Sequence, residues 1–497
     1  MQVAFLALFV ALLLAAGYPL TSPIPVDLFL RTDPLAALTT IISSRVLVPT
    51  VLWSLALVLL TIPLGRVFCG WACPLGTVLD GLSFVFKNGE GKRLPRWRNL
   101  KTWILVAVVV ASLFTLQLAW LADPLALLTR TAVLSLLPMA AVASTAAFGA
   151  LFGIESLQDT LLRLQMALSS TLLPDQPALF RWSGTVLVVF LAALGLEFVS
   201  RRFWCRNLCP LGALYGLLST VQLLRRRVTE KCTDCGRCAP RCKMDAIGED
   251  ARTTLHAECI LCWNCVKVCP ERSTAIDFSR KPARPAFDLS RRGLLVSSAA
   301  GLGSVLLVKT GYVDAAAAGK LIRPPGALEE GAFLDRCIRC HECVRVCSTS
   351  GRLLQPASLE GGLEAFWTPM GVCRTGWCEV DCVMCTEVCP TGAIRRLDVG
   401  TKKRLKIGLA SIDRSRCIPW YRAEGCLVCQ EHCPTSPKAI LLRDEAAVGP
   451  GGKTLAVKRP YIDETLCIGC GICETKCPLA GVSAIVVTTE GEERQAP

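Results

Sequence analysis

Residues 232–242 read CTDCGRCAPRC and, sixteen residues later, 259–270 read CILCWNCVKVCP. Each block is C-x2-C-x2-C-x3-C. That spacing wraps three thiolates round one face of an iron–sulfur cube, while the fourth reaches the cube of the other block. It assigns Cys232, Cys235, Cys238 and Cys269 to one 4Fe–4S cluster, and Cys259, Cys262, Cys265 and Cys242 to a second. Structural zinc takes two separated pairs rather than triplets with a trailing Cys-Pro. Disulfides demand no such regular spacing. The stretch therefore reads as a two-cluster ferredoxin module, and the rest of the chain is organised on either side of it.

The composition sets the surroundings. The chain has 497 residues, of which 52% are hydrophobic, and a mean hydropathy of +0.46. That is too apolar for a wholly soluble protein. Twenty-nine cysteines in a chain of this length point to metal ligation rather than a small disulfide scaffold. Histidine occurs three times, at His256, His341 and His432. With none before residue 256, the apolar half has no histidine for a b-type haem. The net charge of +14 is a matter of loops and topology, and nothing marks a nucleic-acid module.

Residues 3–20, 46–64, 102–122 and 182–200 are apolar runs near the about 20 residues that cross a bilayer as helix. Arg66, Lys87, Lys92, Arg93, Arg96, Arg98 and Lys101 follow the second run. Arg201, Arg202, Arg206 and Arg225 to Arg227 follow the fourth. The positive-inside rule makes these ends, and the N-terminus, cytoplasmic. The runs also contain a duplication. TDPLAALT at 32–39 and RVFCGWACPLG at 66–76 recur as ADPLALLT at 122–129 and RFWCRNLCPLG at 202–212. Each half reads as two spans with an Asp-Pro turn on the outer side and C-x3-C-P on the inner side. An extra apolar stretch, 131–153, reads as an interfacial or re-entrant helix on the outer face. The fold class expected is a helical membrane domain with a duplicated two-span repeat, plus α+β ferredoxin-like 4Fe–4S modules.

After the ferredoxin module comes a linker, KPARP at 281–285, then SRRGLL at 290–295, an apolar run 293–308 and four alanines at 315–318. That order resembles a twin-arginine export signal, with Leu294 and Val296 where Phe and Lys are common. The alternative is a membrane helix whose arginines obey the positive-inside rule. Both put residues after 313 outside the cytoplasm.

Four more blocks follow: Cys337, Cys340, Cys343 and Cys347; Cys378, Cys382, Cys385 and Cys389; Cys417, Cys426, Cys429 and Cys433; Cys467, Cys470, Cys473 and Cys477. Their ligands suffice for four more cubes, six in all. If neighbours pair, the sets are Cys337/Cys340/Cys343 with Cys389, Cys378/Cys382/Cys385 with Cys347, Cys467/Cys470/Cys473 with Cys433, and Cys417/Cys426/Cys429 with Cys477. Nested pairing uses the same cysteines. Cys373 is left over, and reads as a buried free thiol. Cys337-Ile-Arg-Cys340-His341 matches the covalent haem motif C-x-x-C-H. Yet Cys343 and Cys347 complete a cluster block through the same two sulfurs, so haem is rejected, and no flavin fingerprint is present.

Four further cysteines, Cys69, Cys73, Cys205 and Cys209, sit as two C-x3-C pairs with Pro74 and Pro210 directly after. Residues four apart share a helix face, and two repeat-related pairs carry the ligand set of a seventh iron–sulfur cluster. Buried free thiols and redox-active pairs are the other readings. Ionisable groups within apolar spans are the candidates for quinol proton handling: Asp33, Asp123 and Glu197. The plain reading of the aspartates is helix capping ahead of a proline, and of Glu197 a pair with Arg201.

The DPL and CPLG membrane halves followed by a ferredoxin pair resemble the NapH and MauN family of quinol-dehydrogenase-type membrane ferredoxins. The twin-arginine-like segment with four blocks resembles NapG and MauM. The chain thus looks like a fusion, with a membrane domain at 1–230, a cytoplasmic ferredoxin module at 231–285, a signal or anchor helix at 286–318 and a periplasmic four-cluster domain at 319–497. The resemblance implies a multi-pass protein of the bacterial inner membrane. It implies electrons drawn from membrane quinol and delivered through 4Fe–4S clusters to a periplasmic reductase or cytochrome. NosR-like and CcoG-like factors, which maintain or assemble metalloenzymes, share the CPLG repeat and ferredoxin pair. They differ in a flavin domain before the first span and a terminal β-sandwich respectively.

Overall fold

The computed structural model describes residues 1–85, 97–152, 158–171, 178–279, 290–309, 321–448 and 454–496. Lys87, Lys92, Arg93, Arg96, the linker 281–285 and the alanines 315–318 lie outside the described residues.

The apolar runs fold as helices Gln2–Ala15, Ser54–Leu64, Leu100–Leu113 and Ser183–Gly195, bundled with Pro34–Ser44, Pro74–Val85 and Pro210–Leu218. These helices are shorter than the runs that encode them. The first run bends after Ala16, where the backbone N–H of Tyr18 donates to Thr349 Oγ1 at 2.9 Å. The third bends at Thr115, whose φ is +62°. A helix of 14 residues such as Leu100–Leu113 is about 21 Å long, against about 30 Å of hydrocarbon in a bilayer. Among the described residues two helices, Pro124–Leu151 and Arg291–Lys309, are long and apolar enough to cross a membrane.

From Thr131 the chain continues the helix that begins at Pro124, through a π-helical turn Ala132–Leu136 that admits Pro138 at the start of the next α-helical segment, as far as Leu151. The first part of this long helix is buried, whereas Met139, Val142 and Leu151 are exposed.

Arg291–Lys309 packs beside Leu100–Leu113 through Gly293, Ser297, Gly301 and Val305. A Cβ on Gly301 would lie 2.7 Å from the carbonyl oxygen of Ala107, and one on Gly293 2.6 Å from Trp103 Nε1. Small residues at four-residue intervals are what close helix packing in lipid requires. The segment read as an export signal thus has a built face against the bundle.

The bundle has two ends, and a cysteine-rich unit sits at each. At one end Lys101 Nζ donates to Glu258 Oε1 at 2.6 Å, and the backbone N–H of Leu223 donates to the carbonyl of Pro63 at 2.9 Å. At the other, Arg339 Nη1 donates to the carbonyl of Gln117 at 3.0 Å, Thr50 Oγ1 to that of Pro390 at 2.6 Å, and Arg345 Nε to that of Leu13 at 3.2 Å.

Each unit is closed by an antiparallel pair formed from its own two ends. Leu224–Val228 pairs with Thr274–Phe278, Leu224 opposite Phe278, on either side of the first two cysteine blocks. In the second region Ala327 bridges Ile394, and Leu409–Ile412 pairs with Ile485–Thr488. The first bracket encloses the blocks at Cys337 and Cys378. The second encloses those at Cys417 and Cys467, with an inner hairpin Ile440–Val448/Thr454–Ile462. The region 321–496 is accordingly two ferredoxin-like halves, each folded on itself.

Candidate metal centres

Within those closed units the cysteines gather in fours. Cys242, Cys259, Cys262 and Cys265 line one cavity. Cys347, Cys378, Cys382 and Cys385 line another, and Cys417, Cys426, Cys429 and Cys477 a third. Cys337, Cys340 and Cys343 lie within electrostatic reach of Cys389, and Cys470 of Cys433 and Cys467. Cys238 lies near Cys232 and Cys235, while Cys269 hydrogen-bonds with Ser273 at 3.3 Å. The last four blocks thus meet as neighbours. A nested arrangement would need Cys477 beside Cys337, and the two brackets separate them.

Burial pushes the free Cys259, Cys347, Cys429 and Cys470 thiols up to about 12. Backbone N–H groups already point at sulfur: Ala246 N–H at 3.3 Å from Cys242 Sγ, and Leu354 N–H at 3.4 Å from Cys347 Sγ. Among the described residues no three Cys, His, Asp or Glu side chains converge tightly enough to hold a single metal ion. Each set of four thiols is the donor complement of one iron–sulfur cube, with three ligands from one block and the fourth from its neighbour.

Neighbouring sets adjoin. Cys343 is close to Cys385, Cys470 to Cys378, and Cys473 to Cys429. Cys373, buried and assigned to no set, lies near both Cys378 and Cys470. A Cβ on Gly471, whose φ is +83°, would lie 2.6 Å from its sulfur. His341 is buried beside Arg130, and burial followed by that cation's charge pulls its imidazole down to about 3.

The two CPLG stretches fold alike. Each makes a single π-helical turn, Phe68–Ala72 or Trp204–Leu208, that ends on an extended cysteine. A helix follows with proline in its first turn, and Cys209 Sγ accepts from Gly212 N–H at 3.2 Å. The four thiols meet: Cys73 is close to Cys205 and Cys69, and Cys209 to all three others.

The matched arginines reach across the halves. Arg202 Nη1 donates to the carbonyl of Cys69 at 3.2 Å and Nη2 to that of Gly76 at 3.1 Å, while Nη2 pairs with Asp80 at 2.7 Å. Arg66 lies against Cys69 and Cys209 and pairs with Glu258 at 2.8 Å. A Cβ on Gly212 would lie 2.8 Å from Arg66 Nη2, and one on Gly76 3.3 Å from Arg202 Nη2. The glycine of each CPLG therefore makes room for the arginine of the other half, beside the thiols.

On one side this site touches the first ferredoxin unit. Met244, Ala246 and Ile260 form a cluster against which Cys69, Cys205, Cys242, Cys259 and Cys262 pack, and Trp71 Nε1 donates to the carbonyl of Leu261 at 3.0 Å. On the other side lies Tyr215, fully buried, its ring 5.5 Å from that of Phe68 and its hydroxyl without a hydrogen-bond partner. Beyond Tyr215, Asp33 and Asp123 come together in the buried core, side chain against side chain. Each also caps its helix, as the plain reading of Asp-Pro requires. Glu197 is buried and accepts from the backbone N–H of Arg202 through both oxygens at 2.9 Å, with the charge of Arg201 also within reach. A cavity of about 290 Å³ borders the first CPLG turn, walled by Phe5, Phe29, Leu57, Phe68 and Trp71 with the hydroxyl-bearing Thr32 and Thr61.

Comparison with known proteins places this geometry. A 4Fe–4S binding domain family matches twice, over residues 46–93 and 182–229, each covering one CPLG stretch. A second 4Fe–4S binding domain family matches residues 460–480. The methylamine utilization ferredoxin-type protein MauM of Methylorubrum extorquens is 34% identical over 220 residues, 42% of this chain and 92% of that protein. The chain belongs to the MauM and NapG group of ferredoxin-type proteins.

The ferredoxin-type protein NapG of Escherichia coli is 35% identical over 188 residues, 37% of this chain and 78% of that protein. The putative electron transport protein YccM of Escherichia coli is 26% identical over 47% of this chain and 58% of its own length. No solved structure matches. The chain is thus an iron–sulfur-binding electron-transfer protein of ferredoxin type. Relative to this MauM and NapG-type protein, sequence reasoning missed Tyr215 and Arg130. Both occupy positions where the two halves differ, Leu79 and Thr40 being their counterparts in the first half.

Proposed function

We propose that this chain is a membrane-bound electron carrier that connects quinol in the bilayer to a reductase or cytochrome on the periplasmic side. The observation that carries the reading is the meeting of Cys69, Cys73, Cys205 and Cys209 between the two cysteine-rich ends. Cys232/Cys235/Cys238/Cys269 and Cys259/Cys262/Cys265/Cys242 hold two cubes on the cytoplasmic side. The four neighbour sets after residue 321 hold four more outside. The thiols of the two CPLG turns hold a seventh iron–sulfur centre.

When bound, these groups supply one-electron carriers. The protein supplies their placement and insulation. Ile260 and Met244 exclude water between the first ferredoxin unit and the CPLG thiols. Arg66 and Arg202 set positive charge beside four thiolates. Their carboxylate partners Glu258 and Asp80 keep those cations in place. Phe68 and Trp71 form one wall of the 290 Å³ cavity and belong to the same turn as Cys69. That is where an apolar quinol ring meets the thiol site. Likeness to relatives named as ferredoxin-type proteins supports the role of electron carrier.

The test is quinol-driven reduction of full-length protein in membranes, with iron counting. Wild type is reduced by quinol. Cys69→Ser with Cys205→Ser loses one centre's iron and loses quinol reduction, while dithionite still reduces the remaining centres. Unchanged iron and unchanged quinol reduction in that variant would remove the CPLG thiols from the path.

A further inference from the structure

Asp33 and Asp123 occupy matched places in the two halves, each the N-cap of a helix that starts with proline. Asp33 Oδ1 accepts from Leu35 N–H at 2.9 Å, and Asp123 Oδ2 from Ala126 N–H at 2.6 Å. The other oxygens, Asp33 Oδ2 and Asp123 Oδ1, have no N–H or O–H donor, although the side chains are only 1% and 2% exposed. The two carboxyl groups lie against each other. An ionised carboxylate only accepts, so two of them offer each other no hydrogen bond, and like charges this close cannot both persist in a buried site. One proton between them satisfies both orphan oxygens at once.

The surroundings give that proton a role. Tyr215, on Pro210–Leu218, faces both the aspartates and Cys69 and Cys73. Arg130, on the same helix as the Asp123 cap, balances the remaining negative charge of the pair. Its guanidinium lies 5.3 Å from the Trp120 ring centroid and 4.9 Å from that of Trp367, within reach of Cys340. The carboxyl pair therefore stands between the CPLG thiols and the nearest thiol of the far unit.

We propose that Asp33 and Asp123 form a one-proton acid pair that compensates charge at the CPLG thiol site. The resting pair holds one proton and one negative charge. Uptake of one more proton, drawn from water, balances one electron added beside Cys69 and Cys73, and release of that proton accompanies the electron's departure. This compensation rests on the iron–sulfur reading of those thiols; the shared proton does not.

Infrared difference spectroscopy on full-length protein in lipid, between oxidised and dithionite-reduced states, tests it. Wild type shows a protonated-carboxyl stretch that shifts in heavy water and with carboxyl-labelled aspartate, and that changes on reduction. Asp33→Asn and Asp123→Asn keep the caps, since asparagine caps as well as aspartate. In both variants that band is lost and iron content is kept, and the CPLG centre's midpoint potential loses the pH dependence it has in wild type. Absence of a labelled-aspartate band in wild type overturns the shared proton. A band that ignores reduction, with an unaltered pH dependence in the variants, overturns the compensation and leaves only a staple between halves. A labelled-aspartate band in wild type together with no iron lost on changing Cys69 and Cys205 to serine would count against the thiol reading instead and leave the shared proton standing.

Discussion

Glu258→Gln is the sharpest probe of how the first ferredoxin unit is held against the bundle. Glu258 is buried, with Oε1 2.6 Å from Lys101 Nζ and Oε2 2.8 Å from Arg66 Nη1. Glutamine keeps the shape and removes the charge, leaving two buried cations without their anion. Breaking a buried pair in this way costs about 3–5 kcal/mol, which is roughly two to three and a half decades in a docking equilibrium. The flanking pairs, Arg98 with Asp245 at 3.3 Å and Lys243 with Asp80 at 2.6 Å, are partly solvated and replace little of it.

The same carboxylate sets an acid limit. Burial would raise its pKa, but Lys101 and Arg66 more than offset that and hold it below the usual range. An undocked Glu258 binds its proton at a higher pH than the docked one. Docking is therefore at full strength above the ordinary glutamate range and weakens as pH falls through the docked value. Hydrogen exchange of residues 232–278 in lipid-reconstituted full-length protein reads the opening. Glu258→Gln should raise exchange by at least a hundredfold, remove the acid-dependent loss, and be largely rescued by adding Lys101→Met. Exchange within about threefold of wild type, which is roughly 0.6 kcal/mol, would refute the buried triad as the clamp.

Three further outcomes are expected. Gly70→Ala places a Cβ 2.1 Å from the carbonyl oxygen of Ile260, so it should separate the CPLG turn from the first unit; slower re-equilibration between the unit's centres and the CPLG thiols by rapid-freeze spectroscopy checks it. His256 is pulled down to about 4 by burial and by Arg225 and Arg226, so stability present above about pH 6.5 should be lost as pH falls toward that value, and His256→Gln should flatten the urea midpoint across that window. Arg291→Lys with Arg292→Lys keeps the charge. Export through the twin-arginine route requires that the variant strand the four-block region inside by protease accessibility, whereas a simple anchor leaves it outside.

The cysteine spacings were legible because iron–sulfur ligation imposes fixed intervals on a short stretch of chain, and so were the Asp-Pro caps, which are set by neighbours in sequence. Helix lengths were less so. Hydropathy marks apolar surface, but Gly17 and Thr115 turn the backbone into contact with the far unit while the composition is still apolar. The extra stretch after Thr131 is apolar in sequence, but its continuity with the helix that begins at Pro124 is not legible there, because a π-helical turn ahead of Pro138 carries the helix on.

What sequence could not supply was the relation between the halves. A repeat states that two stretches fold alike, and it is silent on which of their faces meet. Here they meet reciprocally, each arginine occupying the space left by the glycine of the other CPLG, and each Asp-Pro cap donating one orphan oxygen to the same buried pair. Symmetry by itself would make a staple. Direction comes from the places where the repeat is broken. Leu79 in the first half is Tyr215 in the second, and Thr40 is Arg130. Those two exchanges put a hydroxyl on the thiol side of the carboxyl pair and a guanidinium on the Cys340 side. A duplicated scaffold thereby acquires an inside and an outside around one shared proton, and polar substitutions confined to a single half are where a second reading of such a repeat should begin.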